Sequence, residues 1–321
     1  MSILLEDYIL FAFFCVSVVL YVLVLVTLIV NRKSELLNGP FFVMTLHLGV
    51  AEVVATVNNW LLVKFRMMGI FYDFYSSLDP LLARMSNYTS WLMAYSHFTL
   101  ITLITANRFI SIVWPMRAKK IWNQRVVRIS LTVAWIITFV ISSPMIEWSN
   151  GDYVMVNETM ALNFHHPEKM GLAYFLMSVI GLPVAIFQIL AYIVMFVTAS
   201  RYARMRANQP GSTNASSAQL KLAITGFVSS IHLLLVMIFT TLASAGGQYF
   251  SIYYLIYKIV TDIFYQFNPY MLLACSSALR RALLNLLRRT KEKSNTTATN
   301  TQPSLPINVR SKPNSTVPVR F

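Results

Sequence analysis

Charge is what this chain has least of. Only 12% of its 321 residues are Asp, Glu, Lys or Arg, about half the fraction usual in a soluble globular protein. Acids are the scarcer sign, 12 against 26 Lys and Arg. Cysteine is nearly absent as well. Cys15 and Cys275 lie in or beside apolar stretches, so no disulfide framework, zinc site or redox pair can be assembled from them. Cys275, just ahead of a basic amphipathic stretch, is open either to palmitoylation or to plain burial. Internal repeats and paired broken helices are missing, which counts against a transporter. No filter loop or ring of charge is visible, which counts against a channel. No nucleophile–base or metal-ligand constellation can be built from the isolated polar residues, so the chain is not read as an enzyme, and no cofactor or metal is expected.

What is present is apolar: 56% of the residues, gathered in runs of membrane-spanning length. The expected fold is an all-α membrane protein, a seven-transmembrane helix bundle with a short amphipathic helix after the seventh span. Tyr8 to Val30 is a charge-free run of 23 residues, enough to cross roughly 30 Å of hydrocarbon. Glu6 and Asp7 stand ahead of it in place of a basic segment, so it reads as a retained helix and not a signal peptide. A second span covers about 40–68 and carries Glu52 near its middle. Asp79-Pro80 offers an N-cap and a first-turn proline for a third span over 80–113. The fourth covers 129–148 and contains Trp135, and the polar loop 147–169 follows it. Gly181 and Pro183 predict a kink in the fifth, 170–200. Residues 200–221 read as a flexible loop. The break Ser244-Ala-Gly-Gly-Gln248 separates a sixth span, 222–243, from a seventh, 252–275. Leu279, Leu283, Leu286 and Leu287 then share one helical face opposite Arg280, Arg281, Arg288 and Arg289, predicting an amphipathic helix over 276–290. A receptor-like unit is thus expected over 1–290, with 291–321 disordered.

The cations sort by side. The connections 31–39, 114–128 and 200–221, with the tail from 276, hold 20 Lys and Arg, while Lys64, Arg66, Arg84 and Lys169 make 4 on the other side. That bias predicts an extracellular N-terminus and a cytoplasmic C-terminus. It also accounts for the net charge of +14 through the lipid bilayer, without a nucleic-acid partner.

One stretch organises the rest. The charge-free run Met85–Asn107 ends at Arg108, and Pro115, Arg117, Lys119, Lys120 and Trp122 follow. Together with Leu48-Gly-Val-Ala-Glu52, Trp135, Pro183 and Asn268-Pro269, this pattern resembles the rhodopsin-like G-protein-coupled receptors. Asn107-Arg-Phe109 stands where they carry Asp-Arg-Tyr, and Glu52 where the second helix carries Asp. Pro115 with Lys119-Lys-Ile-Trp122 resembles the nematode serpentine chemoreceptors, the Srg and Srv groups in particular. The departures are an Asn at 107, no cysteine near Ala83 or in loop 147–169, no proline or tryptophan in the sixth span, and Leu272 where tyrosine is usual.

The resemblance implies a plasma-membrane receptor, with a sensory cilium as one location, that binds a small-molecule ligand and activates a heterotrimeric G protein. Arg108, between Asn107 and Phe109, would meet the G protein, with Arg117, Lys119, Lys120, Arg201 and Arg204 flanking the opening. Topology alone also accounts for those flanking cations. Glu52, Asn268, Pro269 and Tyr270 would form a switch network, because a carboxylate in mid-membrane must face water or a polar partner. Ser90, Trp91, Ala94 and Tyr95, with Tyr254, Tyr257 and Lys258, are candidate pocket residues or, in the alternative, an interfacial aromatic belt. Lys258 and Asp262 stand four apart and are read as a self-neutralised pair, the alternative placing one of them in the pocket. Ser90 stands where amine receptors carry Asp, which counts against a monoamine. Asp262 stands where an opsin carries its Schiff-base lysine, which counts against a photoreceptor. His97 and His232 read as packing positions. Asn157, in Asn157-Glu-Thr159, is the expected glycosylation site.

Overall fold

The computed structural model describes residues 5–34, 37–148, 150–156, 159–206, 213–244 and 250–299. Seven long helices run through it: Leu5–Val30, Pro40–Met67, Leu81–Val113, Gln124–Ser142, Pro167–Arg206, Thr213–Ser244 and Phe250–Cys275. We call them transmembrane helices one to seven. Among the described residues six are apolar enough to cross a membrane on composition alone. The seventh carries Lys258, Asp262, Gln266 and Asn268. Helix three packs against helices two, four and five, helix six lies between five and seven, and helix seven closes against one and two.

Several boundaries differ from those expected, each for a local reason. Helix four starts at Gln124 because the Asn123 side chain caps it, accepting from the backbone N–H groups of Arg125 (3.0 Å) and Val126 (2.9 Å). Helix three begins at Leu81, one residue past Pro80. Helix five is 40 residues long and continues through Pro183, which a membrane helix tolerates when neighbours satisfy the freed carbonyl. Helix six starts at Thr213, inside the segment expected to be loop, while the rest of that loop, 207–212, lies outside the described residues. The Ser244–Gln248 break lies there too, beyond Ser244. Loop 147–169 contains an antiparallel pair, β1 Gly151–Val156 and β2 Thr159–Phe164, with Gly151 opposite Phe164 and Val156 opposite Thr159. Asn157 lies outside the described residues.

The chain divides into two compact units, Met1–Leu283 and Leu284–Phe321. The amphipathic helix spans Ser277–Thr299, so nine residues of the expected disordered tail are helical. In the first unit Leu279 is fully buried beside Val24, Leu28 and Leu272. Arg280 Nη1 donates to the carbonyls of Leu273 (2.7 Å) and Ala274 (2.6 Å), two acceptors that the end of helix seven leaves without helical partners.

Helix two contains the feature that positions the site. Asn58–Lys64 is a π-helical stretch, and Lys64 and Arg66, which fall within the expected 40–68 span but count above among the charges of the outer side, lie in the helix and are buried. In α geometry residues five apart point about 140° away from each other. Hydrogen bonding from i to i+5 widens the turn and brings Asn59 and Lys64 towards one face. Trp60, within the same stretch, is fully buried and stacks on Phe14 of helix one at 5.2 Å between ring centroids.

Candidate functional site

Helix seven meets its neighbours through a ladder of polar contacts, and these build the site. Nearest the Asp7 end of the bundle, Lys258 Nζ donates to Asp7 Oδ1 at 2.9 Å. About one turn further, Asp262 accepts from Lys64 Nζ through Oδ2 and from Asn59 Nδ2 through Oδ1 at 2.7 Å. Two more turns along, Asn268 Nδ2 donates to Glu52 Oε2 at 3.0 Å. Tyr270 hydrogen-bonds Ser17 on helix one at 3.0 Å. These partners explain how so polar a helix is accommodated: the charges face the bundle and each has an answering group.

The expected Lys258–Asp262 pair is therefore corrected. Their spacing of four permits the contact, but each side chain has a partner on another helix, Asp7 for the one and Lys64 with Asn59 for the other. Asp262 is 1% exposed and its two oxygens are both engaged, an arrangement that the π stretch of helix two makes possible.

Glu52 collects three helices. Its Oε2 accepts from Tyr21 of helix one as well as from Asn268. Tyr21 can reach because the intervening residue is Gly49: a Cβ there would lie 2.8 Å from Leu25 Cδ2 and 3.3 Å from the Tyr21 ring. His97 of helix three brings Nδ1 to 3.3 Å from Glu52 Oε1, off-axis for a hydrogen bond, and packs its ring on Phe264 at 4.3 Å. His97 and Tyr21 belong to this cluster, yet nothing in the sequence singles them out beyond being polar side chains in apolar runs. Of the expected switch residues, Asn268 touches Glu52, Pro269 is buried within the helix, and Tyr270 turns to helix one, stacked on Phe13 at 5.7 Å.

Towards the Asp7 end, a cavity of about 220 Å³ opens between helices two, three, five, six and seven. Ser90, Trp91, Ala94, Tyr257 and Lys258, all expected as pocket residues, line it. Tyr95 is buried in the packing core against Trp91 and Phe98, and Asp262 sits behind Lys64 instead of lining the cavity. The side chain of Tyr254 lies outside the described residues. Lys64, Asn59, Asn87 and Tyr174 are lining residues that sequence reasoning missed. Ser90 also accepts from Asn58 Nδ2 at 2.8 Å, tying helix three to helix two at the cavity edge.

The opposite end carries Arg108. It is 7% exposed, and its guanidinium carbon lies 3.4 Å from the centre of the Phe41 ring, a stacked cation–π contact. Its Nε and Nη2 have no hydrogen-bond partner among the described residues. Asn107 is buried, and Phe109 packs edge-on against Trp114 at 5.7 Å. Arg117, Lys120, Arg201 and Arg204 are exposed, while the Lys119 side chain lies outside the described residues. Beside Arg108's turn, Tyr192 of helix five accepts from Thr105 Oγ1 at 3.3 Å. Its hydroxyl occupies the space a Cβ on Gly226 would fill, so helix six passes close to helix five there. Gln188 bridges helices three and six, donating to Thr102 (3.1 Å) and accepting from Ser230 (3.2 Å).

Trp135 of helix four donates Nε1 to His47 of helix two at 3.2 Å. Comparison with known sequences matches this arrangement to one group. The sequence model of the serpentine type 7TM GPCR chemoreceptor Srv family matches residues 10–289, from the first helix to the amphipathic one. The chain belongs to the Srv family. It is also similar to Serpentine receptor class V-1 of Caenorhabditis elegans, 22% identical over 288 residues that cover 86% of this chain and 88% of that protein. The multi-pass membrane character and the seven-helix bundle of this Srv member follow from the family and the apolar helices together. The Srv match spans the cavity, Arg108 and every ladder residue named above except Asp7.

Proposed function

We propose that this Srv chain is a chemosensory G-protein-coupled receptor of the plasma membrane. A small-molecule ligand enters the cavity near Asp7, and a heterotrimeric G protein docks at the Arg108 end. The observation that carries the reading is the cavity itself: lined by five helices, walled by aromatic and aliphatic side chains, with a few polar groups. The charge asymmetry of the connections supports placing that end outside and the Arg108 end in the cytoplasm. Ligand in the cavity would shift a two-state equilibrium by binding one state better, and the ladder of helix seven joins the cavity to Glu52. Glu52, Asn268 and His97 then act as the switch between the two ends. Arg108 becomes the group presented to the G protein once Phe41 moves away.

The test is an expressed receptor with a heterotrimeric G-protein reporter, screened against volatile and water-soluble odorants. A stimulus-dependent signal that Arg108→Ala abolishes, at unchanged surface level, is the expected result. An epitope at Ser2 should label on intact cells and one at Phe321 only after permeabilisation. Labelling in the reverse order overturns the orientation and with it both docking assignments.

A further inference from the structure

The cavity's polar lining is one-sided in chemistry. Two of its lining residues are lysines, Lys64 and Lys258, and among the described residues no Asp or Glu lines it. Both lysines have carboxylate partners, but those acids stand behind them: Asp262 is 1% exposed and Asp7 4% exposed, and neither lines the cavity. An ammonium group has three N–H donors, and one carboxylate contact leaves others to turn inward. Asn87 adds an amide nitrogen that is buried and has no hydrogen-bond partner among the described residues. The lining also includes Trp91, Tyr174, Met177 and Val236, an aromatic and aliphatic wall.

We infer that the ligand is a small organic anion, a carboxylate with an apolar or aromatic remainder, whose carboxylate docks between Lys64 and Lys258. The inference rests on the reading of this cavity as the ligand site. Among the described lining residues an amine would face two ammonium groups and no acid, and a desolvated like-charge contact of that kind is costly. A neutral alcohol or ester fills the apolar wall but leaves the inward N–H groups without an acceptor, the situation in which a polar site discriminates most strongly. The volume, below the roughly 300–1,000 Å³ of drug-sized sites, restricts the ligand to a small skeleton. Lys64 is also held by the Trp60 ring, 4.1 Å from Nζ to the centroid, so its head group is placed before a ligand arrives.

The test uses the full chain, purified in detergent, and three matched series: straight-chain and phenyl-substituted carboxylates, the corresponding alcohols and the corresponding primary amines. Thermal shift reports binding, and the G-protein reporter in cells reports signalling. Carboxylates should raise the melting temperature at concentrations where alcohols and amines of the same skeleton do not. Lys258→Gln paired with Asp7→Asn, which leaves no buried carboxylate without its cation, should weaken carboxylate binding by at least roughly tenfold while leaving surface level near wild type. Lys64→Gln alone would strand Asp262, so the paired variant Lys64→Gln with Asp262→Asn tests that side without leaving a buried charge. It should lose the carboxylate preference as well. The inference fails if no carboxylate binds at millimolar concentration, if alcohols or amines bind as well, or if both lysine variants keep wild-type affinity. Carboxylate binding without a G-protein signal would instead count against the receptor reading and leave the ligand class standing.

Discussion

Lys64 and Arg108 are both buried cations inside the bundle, yet they are held in different ways. Lys64 lies against Asp262, whose second oxygen takes Asn59, and against the face of Trp60. Arg108 has only a ring, Phe41, over its guanidinium, with two of its nitrogens unanswered among the described residues. A cation paired with a carboxylate whose two oxygens are both engaged is held in one geometry, because breaking the pair strands a buried charge. A cation under a ring has lost hydration without gaining directional bonds, so it stands nearer to an alternative arrangement. On the proposed function, the Lys64 end would hold its shape and the Arg108 end would change it. The first suits a preorganised ligand site and the second a movable docking site.

The sharpest way to break that comparison is to unpair Lys64. Asp262→Ala leaves an ammonium buried without its carboxylate, which costs about 3–5 kcal/mol. Surface expression should collapse, and adding Lys64→Met should restore most of it. If Asp262→Ala alone expresses and melts like wild type, the pair is not structural and the contrast with Arg108 disappears.

Glu52 comes next. Glu52→Leu removes the acceptor of both Tyr21 and Asn268, at about 1–3 kcal/mol for each donor left buried. Reduced surface level is expected. Glu52→Gln keeps an acceptor and should keep the fold while changing basal signalling or agonist potency. Wild-type surface level, basal activity and potency in both variants would remove Glu52 from the path between the two ends.

How far the sequence could take this is clearest at particular residues. Charge-free runs such as Tyr8–Val30 and Met85–Asn107 announce helices because a bilayer requires internally bonded apolar segments. Glu52 and Asn268 stand out for the same reason, as polar groups where water is scarce. Lys64 falls inside the expected 40–68 span yet counts with the outer-side charges, because a cation near the end of an apolar run reads as facing water. Its true position depends on a π turn, which has no residue signature here. Lys258 and Asp262 were paired on local spacing, whereas the contacts are set by which helices neighbour the seventh. Tyr21 and His97 join Glu52 through helix packing, and one sequence carries no register between helices one, two and three. β1 and β2 lie in a segment that reads as loop, because short strands are stabilised by their pairing rather than by local preference.

The Arg108 end offers a smaller, opposite pair of effects. Phe41→Ala removes the ring and should raise basal signalling by roughly two- to thirtyfold, the equivalent of about 0.5–2 kcal/mol of cation–π attraction. Arg108→Ala should abolish signalling without the loss of surface level seen at Asp262, because it deletes a poorly answered charge and leaves no carboxylate behind. If Phe41→Ala lowers basal activity instead, the ring holds the active arrangement and the direction of the switch reverses.

The smallest expected effect tests whether the contrast belongs to the bundle interior or to everything near the Arg108 end. Asn123 lies in that region, in the connection before helix four, but its work is local: one exposed side-chain oxygen accepts from two backbone N–H groups. Its neighbour Gln124 reaches the Asn38 carbonyl at 3.2 Å, joining this connection to the one before helix two. Asn123→Ala should therefore cost about 1 kcal/mol, the usual worth of an N-cap, read as a small fall in the melting temperature of the purified chain. Signalling per receptor at the surface should stay at the wild-type level, since neither Arg108 nor Phe41 touches the cap. A variant that melts normally but signals differently would show that the connection itself takes part in coupling. The movable region would then extend beyond the Arg108–Phe41 contact to the start of helix four, and the comparison with Lys64 would have to be made between surfaces rather than between two buried cations.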